Sequence, residues 1–164
     1  MVRSRTLVIT ATLAAAALTA GCGFHLEGRT VLPAAMRRPY IEASNQQSDF
    51  VQSLRRDLLG SGAYPTEDSS RASAEIDILH DQVQRTVLAV SATDRPTEYQ
   101  VTYTVRFSVS AGGKTLLASR TVTATRSYSF DENLLLAKEH EEAILTGAMA
   151  QDLADIVMRR LARL

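Results

Sequence analysis

The sequence predicts an α+β domain: a single antiparallel or mixed four-stranded sheet packed on one face by two helices, in the order β-α-β-β-β-α. Three observations carry this. Tyr99, Val101, Tyr103, Val105, Phe107 and Val109 alternate with polar residues, the period-two pattern of a strand with one buried and one solvated face. Ala111-Gly112-Gly113-Lys114 follows at once, and Gly-Gly accepts the positive φ that tight hairpins require, so Thr115 to Phe130, rich in Thr and Val, returns as an antiparallel partner. Leu145, Met149, Leu153, Val157 and Leu161 then step by four along one face of a helix.

Taken in order, Pro39 to Ser44 holds a short apolar stretch at Tyr40 and Ile41, bounded by a proline and a polar run, and reads as the first strand. Phe50, Val51, Leu54 and Leu58 fall at helical spacing, with Ser48 as N-cap, Asp49 in the first turn and Gly60 and Gly62 ending the helix. Tyr64 to Ala74 is polar and loop-like. In Glu75 to Ala89, Ile76 and Ile78 lie on one parity and Leu79, Val83 and Val87 on the other, which calls for a bulge or two shorter strands near His80. The last helix is expected to begin near Asn133. Its early turns carry Glu139, Glu141 and Glu142 and its end Arg159, Arg160 and Arg163, an order that complements the helix dipole.

The chain has 164 residues with 18 basic and 18 acidic side chains. Met1 to Arg5 holds two arginines and no acid, Leu7 to Leu18 is an uncharged run rich in Leu, Val and Ala, and small residues lead to Cys22. That is the layout of a secretory signal, too short to span a bilayer. Leu18-Thr19-Ala20-Gly21-Cys22 resembles the bacterial lipobox, with Thr19 where that pattern most often has Leu; cleavage is expected between Gly21 and Cys22, with lipid on the Cys22 sulfur. Gly23, rather than Asp, favours the outer membrane. The expected organisation is a cleaved signal peptide at 1–21, a lipidated tether at 22–36 and a folded α/β domain at 37–164. Removing Arg3 and Arg5 leaves 16 basic residues against 18 acidic ones, which gives no general reason to bind nucleic acid.

Chemistry is sparse. One Cys allows no intrachain disulfide, and no cofactor or metal is expected: His140-Glu141-Glu142 lacks the second His of a zinc-protease helix, since position 144 is Ile144. There is no phosphate loop, no nucleophile elbow and no Cys/His pair, so no catalytic residue is assigned and the chain is read as no enzyme. Acidic pairs such as Asp131-Glu132 and Glu141-Glu142 belong to a helix start. The basic residues are the remaining candidates. Arg85, Arg106, Arg120 and Arg126 lie on predicted strands, Arg95 in a loop beside Pro96, and Lys138 near the start of the last helix. Several of them converging at one end of the sheet would hold phosphate through charge-assisted hydrogen bonds.

Thr19-Ala20-Gly21-Cys22-Gly23-Phe24-His25-Leu26, Thr97-Glu98-Tyr99-Gln100, Arg126-Ser127-Tyr128 and Leu136-Ala137-Lys138, in this order across nearly the whole mature chain, resemble the LptE (RlpB) family of LPS-assembly lipoproteins. The resemblance implies a lipid-anchored outer-membrane protein that sits as plug and partner inside the lumen of an LptD-type β-barrel and binds lipopolysaccharide. It points to Lys138 as a ligand of lipopolysaccharide phosphates and to Arg95 as the second, although relatives carry their loop cation a few positions earlier. The alternatives are a stand-alone envelope lipoprotein that binds another lipid or supports envelope structure, and a lipid-anchored hydrolase.

Overall fold

The computed structural model describes residues 31–131 and 134–164. The signal segment 1–21, the Gly21-Cys22 junction, the tether up to Thr30 and Asn133 lie outside the described residues. Six elements follow the predicted order: β1 (Pro39–Ala43), α1 (Asp49–Gly60), β2 (Ala74–Val90), β3 (Pro96–Ala111), β4 (Lys114–Ser129) and α2 (Leu135–Leu161). The sheet order is β1-β2-β3-β4, with β1 parallel to β2 and the other pairs antiparallel, so of the two sheet types expected it is the mixed one.

Local chemistry accounts for the boundaries. Ser48 Oγ accepts the Val51 N–H at 3.2 Å and caps α1, while its own proton goes to Asp81 Oδ2 at 2.5 Å, pinning the start of the helix to β2. At the other end Gly62 sits at φ +85°, its N–H bonds the Leu59 carbonyl and the Ala63 N–H bonds that of Leu58. This is a Schellman closure, which needs a residue free to adopt the left-handed conformation. Gly112 (φ +57°) and Gly113 (φ +74°) form the two-residue β3–β4 turn.

β2 is one continuous strand with an irregularity between Ile78 and His80, the bulge that its parity switch predicts. Ile76 and Ile78 before it face Val109 and Phe107; Val83 and Val87 after it face Tyr103 and Tyr99. All four therefore point to the helix side. Yet only Ile76 and Ile78 are buried, and Val83 and Val87 stay exposed because no helix lies over them. Polar residues of β3 and β4 form the opposite face.

The core lies between the inner sheet face and the two helices. Val101 to Val109 of β3, Phe50, Val51, Leu54 and Leu58 of α1, and Met149, Leu153, Val157 and Leu161 of α2 are all buried. Packing reaches back to Met36, which is also fully buried. α2 agrees with expectation in its early turns and departs from it at its end. Its first turn holds no acid, because it begins at Leu135 and Glu139 to Glu142 fall in the second turn, where the dipole is weaker. Arg163 lies beyond the end of the helix.

Where α1 meets α2, Gln151 Nε2 donates to both oxygens of Asp57 at 3.0 and 3.1 Å. Burial holds the Asp57 carboxyl above its ordinary range, opposed by the Gln151 amide and reinforced by the charge of Asp155. A carboxyl that binds its proton better in the folded state stabilises the fold in acid, and that contribution is lost as pH rises through the folded pKa. Asp57→Asn is therefore expected to raise the melting temperature at neutral pH, with the advantage vanishing below the ordinary carboxylate range. Thermal melts across pH check this, and a variant less stable at neutral pH would refute it.

Candidate functional site

The six basic candidates do not converge. Arg106 stands opposite His80 and Thr121 on the outer face of the sheet. Arg126 reaches α2 and pairs with Asp152 at 3.0 Å. Arg120 shares a shallow depression with Arg160 at the hairpin end of the sheet. Arg95 lies in the β2–β3 connection, where its carbonyl accepts the Ser91 N–H at 2.8 Å and Asp94 beside it takes φ +58°. That loop is at the same end of the sheet as the start of α2, but Arg95 does not line the cleft found there.

Arg85 and Lys138 do come together. They line a cleft of about 110 Å³ with Tyr99, Tyr128, Phe130, Glu139 and Glu142. Its floor is aromatic: Tyr99 lies 5.8 Å from Tyr128 across the β3–β4 pair and meets Phe130 edge-on at 5.1 Å, centroid to centroid. Arg85 stacks over Tyr99 at 4.8 Å from the ring centre while its Nη1 bonds Glu142 Oε2 at 2.9 Å. The Tyr128 hydroxyl donates to the same carboxylate oxygen at 2.6 Å. Burial pushes the Tyr128 phenol up to about 12, with the Glu142 hydrogen bond as the second cause. Lys138 Nζ is paired one helical turn on with Glu141 at 2.7 Å, and its side chain is only 16% exposed.

Both cations of the cleft are thus already balanced by carboxylates of α2. A phosphate entering here must exchange with Glu141 or Glu142, so the arrangement offers a compensated site that opens on ligand exchange. The aromatic residues and the pairing of Arg85 with Glu142 were not anticipated from sequence as parts of a site. The available signal was the strict alternation ending at Tyr99, which puts that ring on the same face as the β4 residue opposite it.

A larger depression of about 280 Å³ lies at the outer edge of β1, where Arg55, its only cation, is held by Gln46 Oε1 at 3.0 Å and Glu67 at 3.9 Å. Among the described residues no group of His, Cys, Asp and Glu could hold a metal ion.

Glu142→Gln is expected to lower the pKa of Tyr128, because the carboxylate that retains its proton is gone while burial persists. It should also cost about 1 kcal/mol of stability through loss of a charge-assisted bond. NMR titration of the phenol and chemical denaturation measure the two effects; an unmoved Tyr128 would mean that the carboxylate does not hold its proton.

The lipopolysaccharide-assembly family LptE matches residues 36–161 of the chain. The LPS-assembly lipoprotein LptE of Pectobacterium atrosepticum is 27% identical over 145 residues, covering 88% of this chain and 78% of that protein. The protein of the same name from Photorhabdus laumondii is 29% identical over 149 residues, covering 88% and 79%. The solution NMR structure of uncharacterized lipoprotein B from Nitrosomonas europaea matches with a TM-score of 0.70 at 25% identity, covering 85% of this chain and 90% of that one. The crystal structure of rare lipoprotein B from Shewanella oneidensis, at TM-score 0.66 and 21% identity over 77% and 94% of the two chains, has the same fold. The resemblance carried by Thr97-Glu98-Tyr99-Gln100, Arg126-Ser127-Tyr128 and Leu136-Ala137-Lys138 therefore extends over the folded domain, and the chain belongs to the LptE family of lipopolysaccharide-assembly lipoproteins, envelope proteins without enzymatic activity.

Proposed function

We propose that this protein, anchored in the outer membrane by lipid on Cys22, fills the lumen of an LptD-type β-barrel as its partner and plug in lipopolysaccharide assembly, and that Lys138 contacts lipopolysaccharide phosphates. The observation that carries the plug reading is the bare outer face of the sheet. Gln82, Gln84 and Thr86 of β2, Thr102, Thr104 and Arg106 of β3, and Thr121, Thr123 and Thr125 of β4 share it, and no described element covers it. Such a face cannot sit against lipid tails, but the lumen of an outer-membrane barrel is itself polar and supplies hydrogen-bonding partners of the same kind. A second feature supports the reading. β1 pairs with β2 only up to Ile78, so the rest of β2 presents an open backbone edge with Val83, Val87, Leu88 and Val90 exposed, a surface that favours a partner.

Lys138 is assigned by its place in Leu136-Ala137-Lys138 and by the cleft it shares with Arg85. Arg95, on the loop at the same end, is the weaker second ligand, since it stands outside the cleft.

The expected outcome of an affinity pull-down of the full-length protein from detergent-solubilised outer membranes is a large β-barrel in near-equal amount, identified by mass spectrometry. Recovery of the lipoprotein alone would end the plug reading and favour a stand-alone envelope lipoprotein. Lys138→Ala should leave barrel recovery unchanged and weaken lipopolysaccharide binding by about tenfold, the scale of one charge-assisted phosphate contact. Equal binding by variant and parent would remove Lys138 from the site.

A further inference from the structure

α2 answers the cations of the strands beneath it one after another. Glu142 takes Arg85 from β2, and Asp152 takes Arg126 from β4. Two turns beyond Asp152 the same helix meets β4 again, and there the pattern inverts: Arg160 and Arg120 line one depression with Leu117, Ser119 and Thr121, and no acidic residue is among them. Neither guanidinium has an ion-pair or hydrogen-bonding partner among the described residues. Two like charges facing one depression repel, and this is the place in the helix–sheet seam where the fold supplies no counter-charge. The Ser119 hydroxyl adds a donor of the kind that completes a phosphate shell, and Leu117 gives the depression an apolar wall.

We infer that Arg120 and Arg160 form an anion site for the phosphate group of an amphiphile, separate from the Lys138 cleft. Guanidinium forks bind phosphate oxygens in pairs, and the absence of a competing carboxylate distinguishes this site from the compensated cleft at the other end of α2. The location fits a lipid. The chain enters the domain at this end, where Pro39 pairs with Ala74 and Glu75 with Ser110, close to the β3–β4 turn. A membrane headgroup and the phosphates of lipopolysaccharide present the same chemistry here, as does free phosphate.

The test uses the full chain in uncharged detergent micelles at low salt, reading the guanidinium resonances of Arg120 and Arg160 by NMR. Inorganic phosphate, phosphatidic acid and diacylglycerol are titrated in parallel. Shifts of both arginines with phosphate and phosphatidic acid mean that the phosphate group alone suffices; shifts with phosphatidic acid only identify a lipid headgroup. Either result supports the site, provided diacylglycerol is silent and Arg160→Gln weakens binding by about tenfold. A second readout does not need the resonances. Arg160→Gln should raise the melting temperature in phosphate-free buffer by relieving repulsion, and the bound probe should stabilise the parent but not the variant. No shift with any probe, an equal response to diacylglycerol, or unchanged affinity in Arg160→Gln would overturn the inference. Lys138→Ala must leave these shifts intact and Arg160→Gln must leave barrel recovery intact, so failure here and failure of the plug reading are separable.

Discussion

The layers of this domain are of unequal length, and most of its surface chemistry follows from that. The 17 residues of β2 run about 56 Å in extended form, whereas the five residues of β1 reach about 16 Å. The 12 residues of α1 rise about 18 Å and the 27 of α2 about 40 Å. The parallel β1–α1–β2 unit can therefore cover only the first part of the sheet, and α2 has to cover what remains of β3 and β4. Little is left for the far half of β2, which α2 reaches through the Arg85–Glu142 pair. Ile78 and Val83 belong to one strand and point to one side, yet the first is 7% exposed and the second 39%, because α1 ends between them. The Ser48 to Asp81 hydrogen bond marks that end: the amino terminus of α1 is fastened just beyond the bulge, and the bare stretch of β2 starts there.

α2 is held by apolar burial, most of it in the second half of the helix, and carries ion pairs to the strands in both halves. Met149, Leu153, Val157 and Leu161 are wholly buried, each contributing on the order of 1.5–3 kcal/mol. The pairs Arg85–Glu142 and Arg126–Asp152 are part-exposed and contribute about 0–1 kcal/mol apiece. Those pairs orient the helix without holding it. The first turns of α2 rest on Tyr99, Tyr128 and Phe130, rings that give area with little directional demand, and Glu142 ties Arg85 and Tyr128 into one network. A site built on part-exposed ion pairs is able to exchange partners without disturbing the core, since breaking those pairs exposes little apolar surface.

Much of the fold was legible because local chemistry and tertiary packing agree. Ser48, Gly62, the Gly112-Gly113 turn and the parity switch near His80 each demand one backbone geometry, and each is found. Register was less legible. Continued unbroken from the turn, β3 would put Arg126 opposite Tyr99, but irregularities on either side of Val109 shift β4 so that Tyr128 stands there instead. Two shifts of one residue keep every side chain on its face while moving it two places along. Alternation in the sequence therefore identified the buried face and could not show that Tyr99 and Tyr128 would build the floor of a cleft. Charges were the least legible: whether Arg85, Arg120 and Arg126 meet acid or base depends on how far α2 has advanced over β4, and no local rule fixes that.

The two cationic places on α2 are too far apart to serve one headgroup. Lys138 and Arg160 are separated by about 33 Å along the helix axis. Their electrostatics differ as well. At the far end every cation of the cleft is matched by a carboxylate within one turn, so a ligand there gains only the difference between its own contacts and those it displaces. At the end where the chain enters, the arginines have nothing to give up, and an anion gains the full interaction less its desolvation. If Cys22 carries the proposed lipid, the nine residues from it to Val31 span at most about 30 Å, which would keep the uncompensated pair near headgroups and set the compensated cleft one helix length away. The two ends of α2 therefore have opposite charge balance: an anion meets one pair of cations with no carboxylate to displace, and reaches the other only by exchange.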